Sequence, residues 1–157
     1  MTKVSLICSG WRAARGALLM KISNQEFALL IDKAQQVLTK AYAPYSKFRV
    51  GAAILTNEGN IFTGCNIENS SYGLTICAER AAVASAIAHE GGEKMKIRAI
   101  VIVSEPEVPC APCGACRQVL SEFGLQATVF FQGKEQKMKE LTVAELLPEA
   151  FEFTIQV

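Results

Sequence analysis

The stretch "APCGAC", residues 111–116, sets Cys113 and Cys116 three positions apart behind a proline, with Cys110 just upstream. On a first helical turn that spacing puts both sulfurs on one face, within reach of a single ion. Earlier in the chain, "CAER" supplies Cys77, Glu79 and Arg80. Both clusters stand where a helix is expected to begin, and the partial positive charge there favours the thiolate that binds metal. If Cys77 joins Cys113 and Cys116, three sulfurs leave the fourth tetrahedral position of a zinc ion open, which is the catalytic arrangement. Glu79 can point past the helix end toward that position. There a carboxylate takes a proton from activated water and returns it to a leaving group. Arg80, hydrogen-bonded to a sulfur, would offset part of the negative charge of three thiolates.

The remaining cysteines allow other readings. Cys8 and Cys65 read as small buried hydrophobes. Cys110 is ambiguous, because "CAPC" is also a Cys-x-x-Cys; Pro112 and a helix beginning at Ala115 favour Cys113 and Cys116 as the pair. A disulfide oxidoreductase would leave Cys77, Glu79 and "NIEN", residues 66–69, without work. A non-catalytic zinc module, with Cys110 closing the site as a fourth thiolate, is the alternative from a different class. The single histidine, His89, falls near a helix end and reads as a partner of the C-terminal dipole.

Elements must bring these residues together. "SNQE" from Ser23 is a capping box, and Phe27, Leu30, Ile31, Ala34, Val37, Leu38 and Ala41 recur at helical spacing, stopping before Pro44. "VGAAILT" and "NIFTGCN" around "NEG" form a hairpin. A second helix runs from about Cys77 to Gly91 and Gly92. "IRAIVIVS" is a buried strand, followed by the loop "EPEVPCAPCG", a third helix "ACRQVLSEF" ending at Gly124, the strand "ATVFFQ", and a short helix "TVAELL" with Thr142 and Glu145 at capping-box spacing. Strands alternating with helices imply one three-layer α/β/α domain on a mixed sheet of about five strands.

Bulk properties narrow the partners. The 157 residues are half hydrophobic with a formal net charge of +1, enough for one buried core and too neutral to draw nucleic acid or an anionic membrane. No apolar run reaches the roughly 18 residues of a membrane span. The clustered cysteines fit a reduced, cytoplasmic protein better than a secreted disulfide scaffold. Residues 1–21 are basic, lack acids and stand outside the periodic pattern. They read as a flexible N-terminal extension or the product of an upstream start, ahead of a domain over residues 22–157.

"APYSKF", "VGAA", "GCNIENSSYG", "CAER", "PCGACRQV" and "ELLPEAF" together resemble the zinc-dependent nucleoside and nucleobase deaminases, whose signature is H-x-E with P-C-x-x-C. With cysteine in place of that histidine, the chain is similar to the small homotetrameric cytidine deaminases. The resemblance implies one zinc per subunit on Cys77, Cys113 and Cys116, and Glu79 moving protons as water attacks C4 of cytosine and ammonia leaves. It also implies that Asn66 and Glu68 bind the ribose hydroxyls, that Phe48 packs on the base, and that the Ala78 N–H meets the base near its carbonyl. Tyr72 and Phe151 would complete a neighbouring subunit's pocket. The expected reaction is deamination of cytidine and 2′-deoxycytidine in pyrimidine salvage, with a modified, blasticidin-S-like cytosine nucleoside as the other substrate class. One departure stands out: Arg49 follows Phe48 where the family usually has proline. It could loosen Phe48, alter a subunit interface or point to solvent.

Overall fold

A computed structural model of the chain describes residues 22–151; Cys8 and the N-terminal extension over residues 1–21 lie outside the described residues. The first helix, α1 (Asn24–Leu38), begins at the expected capping box. Ser23 Oγ accepts from the Glu26 N–H at 3.1 Å, and the Ser23 N–H donates to the Glu26 carboxylate at 2.6 Å. Each satisfies a donor that the helix start leaves without a partner. The other Glu26 oxygen pairs with Arg98, tying the helix start to the sheet.

The hairpin strands are β1 (Arg49–Thr56) and β2 (Ile61–Cys65), followed by α2 (Ala78–Glu90), β3 (Ile97–Glu105), α3 (Gly114–Gly124), β4 (Thr128–Gln132), β5 (Met138–Thr142) and the short α4 (Val143–Leu146). The sheet order is β2-β1-β3-β4-β5, with β3 and β4 parallel and every other pair antiparallel. Side chains alternate between two cores. Ala53, Leu55, Ala99, Val101 and Phe130 face α1, whereas Ala52, Ile54, Ile100, Ile102 and Val129 face α2 and α3. The expected α/β/α sandwich is therefore the architecture found. Among the described residues, no helix is long and apolar enough to cross a membrane.

Strand direction decides where the helices begin. Because β1 runs against both β2 and β3, those two strands point the same way. The helices that follow them, α2 and α3, thus start at the same end of the sheet and on the same face. Two glycines let helices come unusually close. A Cβ at Gly64 of β2 would lie 2.3 Å from the Ala82 nitrogen and 2.5 Å from the Ala78 oxygen of α2. A Cβ at Gly51 of β1 would lie 2.2 Å from the Ala34 oxygen of α1 on the other face. The buried stripe of α2 is mostly alanine, at Ala78, Ala82 and Ala86, which suits this approach.

β5 is the strand that hydrophobic patterning does not reveal. Its "MKELT" carries Lys139 and Glu140 on an edge strand, where charge guards against pairing with other chains. The Arg49 side chain stays partly exposed to solvent. It sits opposite Glu105 in the β1/β3 ladder and pairs with its carboxylate across the strands.

Gly64→Ala is expected to cost about 1–3 kcal/mol or more in urea unfolding, because the added methyl meets helix backbone that cannot rotate aside. A loss below about 0.5 kcal/mol, the range of an ordinary surface change, would show that α2 does not rest on β2 in this way. Glu26 supplies a pH test. The Ser23 backbone N–H, then its hydroxyl and Arg98, hold the Glu26 carboxyl below its ordinary value. A lowered folded pKa means stabilisation that is present above the unfolded value and lost as pH falls through the folded one. The stability gap between the parent and Glu26→Gln, which keeps the capping geometry, should be widest near neutrality and close in acid. A gap that does not change with pH would rule out this charge contribution.

Candidate metal centre and active site

Cys77 is the N-cap of α2 and Cys113 the N-cap of α3, and neither side chain caps its own helix. Their sulfurs face each other at 4.0 Å. Cys116, in the first turn of α3, is buried and brings a third sulfur, so that all three lie within 4.8 Å of one another. All three cysteines are free. Zinc–sulfur bonds of about 2.3 Å at tetrahedral angles require sulfurs about 3.8 Å apart, so these thiols fit one face of a zinc tetrahedron. Among the described residues this is the only such group, and Cys110 is not in it. The Cys110 N–H donates to the Gln132 carbonyl at 2.9 Å, and burial, reinforced by the charge of Glu79, pushes its thiol up to about 11. Cys110 is thus held as a neutral thiol against the core.

The three thiols share charge unequally. A hydrogen bond from Cys116 lowers the Cys77 thiol to about 5, with help from Arg80 and Cys113 and against the opposing effect of burial. Cys116, as the donor, is pushed up in turn. Arg80 Nη2 lies 3.8 Å from Cys77 Sγ and donates to the Thr75 carbonyl at 3.0 Å, an arrangement that keeps a cation beside the thiolate. This is the sulfur-bound guanidinium expected from "CAER". Glu79 is 5% exposed, inside the buried stripe of α2. Burial raises the pKa of its carboxyl, and the negative charge at Cys77 adds to the effect.

Next to this centre lies the part of the chain holding Asn66, Glu68 and Phe48. A cleft of about 270 Å³ is lined by Tyr45, Ser46, Glu68, Tyr72 and Thr75, the last of which also accepts the Arg80 hydrogen bond. The Tyr45 and Ser46 N–H groups donate to one Glu68 oxygen at 2.9 and 3.2 Å, and the Ser46 hydroxyl bonds the other. These donors, the Ser46 hydroxyl foremost, hold the Glu68 carboxyl below its ordinary value. Asn66 is buried, with Oδ1 accepting from the Val50 N–H at 2.8 Å and Nδ2 donating to the Phe48 carbonyl at 2.9 Å. Its second N–H and second lone pair remain for another partner. Phe48 is half-buried and packs on the α2/α3 core. Ala78, the first residue of α2, has an N–H with no partner inside the helix. Tyr72 and Phe151 are 74% and 73% exposed, and Tyr72 touches Tyr45 edge-on.

Two supporting residues escape a reading of motifs. Arg117 donates from Nε to the Pro112 carbonyl at 2.8 Å and from Nη1 to the Leu146 carbonyl at 2.9 Å, fixing the loop that delivers Cys113. Ser46 links Glu68 to the Phe48 backbone, whose N–H donates to its hydroxyl at 3.0 Å. The only signal in the sequence was their place inside "PCGACRQV" and "APYSKF", since nothing in either residue type announces a clamp.

Residues 24–132 match the model of the cytidine and deoxycytidylate deaminase zinc-binding region. The chain is 48% identical over 124 residues to a cytidine deaminase of Halalkalibacterium halodurans, covering 78% of this chain and 92% of that protein. It is 46% identical over 123 residues to one of Sporosarcina psychrophila, covering 78% and 88%. Its fold superposes on the crystal structure of cytidine deaminase from Burkholderia pseudomallei with a TM-score of 0.70 and 46% identity, covering 78% of this chain and 97% of that one. With three free sulfurs at two helix N-termini and a buried carboxyl beside them, the chain belongs to the zinc-binding cytidine and deoxycytidylate deaminase family.

Proposed function

We propose that the protein catalyses hydrolytic deamination of cytidine and 2′-deoxycytidine to uridine and 2′-deoxyuridine, releasing ammonia. The observation that carries this reading is the group of three cysteine sulfurs, and not four, beside the buried Glu79. A closed four-thiolate module would need Cys110, whose sulfur is not in the group of three that lie within 4.8 Å of one another. Cys77, Cys113 and Cys116 would hold zinc, and the bound ion supplies Lewis-acid activation of water. Glu79 takes a proton from the attacking water onto a carboxylate oxygen. As the C4–O bond forms, Glu79 delivers that proton to N3 of the base, where it ends in uridine. Glu79 then takes water's second proton from the new C4 hydroxyl and passes it to the amino nitrogen as the C4–N bond breaks, so that it ends in ammonia. Its raised proton affinity suits both halves of that transfer, because a carboxylate of ordinary pKa gives up its proton too readily. Arg80 keeps charge balanced at Cys77.

In this reading Glu68 accepts from a ribose hydroxyl, Asn66 both supports Phe48 and offers its free N–H, Phe48 flanks the base, and the Ala78 N–H meets the base carbonyl. The deaminase domain spans residues 22–157. Tyr42, Ile67, Tyr72, Leu74, Ile76 and Phe151 expose large apolar surface, which suits a homotetramer in which Tyr72 and Phe151 complete a neighbour's pocket. Free thiols suit a reducing cytoplasm, where the reaction would serve pyrimidine salvage.

The ultraviolet absorbance change of cytidine, followed with the zinc-loaded parent and a Glu79→Gln variant of equal zinc content, tests the chemistry. The variant is expected to lose about 10²–10⁴-fold in kcat or more while keeping zinc. Equal turnover in the two proteins would remove Glu79 as the proton carrier. No turnover by the parent would move the reading to modified cytosine nucleosides. Sedimentation of the purified protein is expected to give four subunits, and Ile76→Glu, which places charge on the exposed strip, is expected to lower that number. A monomeric parent with full activity would refute the shared pocket.

A further inference from the structure

The segment 42–48 wraps the Glu68 side chain more fully than binding a sugar requires. The Tyr42 N–H donates to the Asn66 carbonyl at 3.0 Å and the Glu68 N–H to the Tyr42 carbonyl at 2.8 Å, which lays the segment alongside "NIEN". Lys47 then takes a positive φ of 59°, turning the chain so that the Phe48 N–H reaches back to Ser46 Oγ. At its other side the Phe48 carbonyl accepts from Asn66. Both polar backbone groups of Phe48 are therefore bound by side chains connected to the Glu68 region. A serine hydroxyl has one proton and two lone pairs. Here the proton goes to Glu68 Oε1, and one lone pair takes the Phe48 N–H. Glu68 Oε2 already accepts two backbone N–H groups, so the lone pair open to a ligand is on Oε1, beside Ser46 and facing the cleft they both line.

We infer that Ser46 is a positioning residue that couples sugar recognition to placement of the base, by aiming the one free acceptor of Glu68 and holding the Phe48 backbone through the same hydroxyl. The inference rests on the proposed roles of Glu68 and Phe48. Removing the hydroxyl frees Glu68 to rotate and leaves the Phe48 N–H without its acceptor. Ser46 is itself exposed, so its loss removes the coupling without opening a cavity in the core.

The test compares kcat and KM of the zinc-loaded parent, Ser46→Ala and Ser46→Thr on cytidine, 2′-deoxycytidine and 3′-deoxycytidine. The parent is expected to lose about tenfold or more in kcat/KM when one of the two hydroxyls is missing, as befits a hydrogen bond to a charged acceptor. In Ser46→Ala that penalty should shrink to about threefold or less, chiefly because KM for cytidine rises, and Ser46→Thr should restore it. A Ser46→Ala variant slowed by the same factor on all three substrates, or not slowed at all, would overturn the inference. Ser46→Cys, of similar size but with a much weaker donor, serves if the alanine variant does not fold, and is expected to behave as alanine does. Calorimetric titration of the same nucleosides into each variant in the Glu79→Gln background reads the coupling without turnover. Hydroxyl discrimination in binding that depends on Ser46 supports the inference even if the parent deaminates nothing, in which case only the deaminase reading falls. A parent that deaminates cytidine but ignores both hydroxyls would overturn the role of Ser46 and leave the deaminase reading intact.

Discussion

The close approach of α2 to β2 at Gly64 sets up everything at the active end of the sheet. There the backbone of Ala78 and Ala82 occupies space that any side chain on the strand would need. That contact sets where the first turn of α2 lies, and the first turn carries Cys77 at the cap and Glu79 two residues on. Strand direction supplies the rest: with β2 and β3 pointing the same way, α3 starts beside α2, and their two N-cap sulfurs come to 4.0 Å. Ligand geometry thus follows from sheet topology and a missing methyl group. On the opposite face Gly51 admits α1 just as closely, so β1 is covered on both sides within a thin sandwich.

Two helix N-termini converging on one point create positive potential, to which Arg80 adds and which the sulfurs answer with negative charge. The Cys77 thiol, at a helix cap, is lowered chiefly by a hydrogen bond from Cys116 with help from Arg80, whereas burial raises the Cys110 thiol, which packs against the core. The same contrast separates the two carboxylates. Glu79 is buried beside Cys77 and Cys116, and its proton is held more firmly. Glu68 is surrounded by N–H and O–H donors and stays ionised. The proposed proton carrier and the proposed sugar acceptor are thus distinguished by environment.

Period and spacing made most of the fold legible. The capping boxes at Ser23 and Thr142, the hairpin, the buried β3 and the three long helices all stand where pattern places them, because each is decided within a few residues of itself. The cysteine group was legible for a related reason: Cys113 and Cys116 are neighbours on one turn, and Cys77 stands, as they do, where a helix is expected to begin. What the sequence hid depends on distant partners. β5 carries the charges of an edge strand, and its strand character comes from pairing with β4. Arg49 finds Glu105 only once the β1/β3 register exists. Ser46 and Arg117 are ordinary polar residues until the backbone groups they hold are brought to them.

The chain completes one half of its site and leaves the other open. Desolvation of Glu79 is achieved inside a single subunit, since its carboxyl is buried by its own helix and sheet. Enclosure of a sugar is not: the cleft at Glu68 opens beside Tyr72, whose ring is mostly exposed, and Phe151 at the far end of the described chain is as bare. The Gln118 side chain donates to the Phe151 carbonyl at 2.9 Å, so the backbone of that residue is anchored while its ring stands free. An anchored and exposed aromatic ring suits the proposed role of Phe151 in a neighbouring copy's pocket. The same holds for the apolar strip around Ile67 and Ile76, which the backbone pairs into a small bridge but leaves unburied. In the proposed reaction, the environment of Glu79 therefore comes from the fold of one chain, and exclusion of water from the nucleoside would come from the proposed contact between copies.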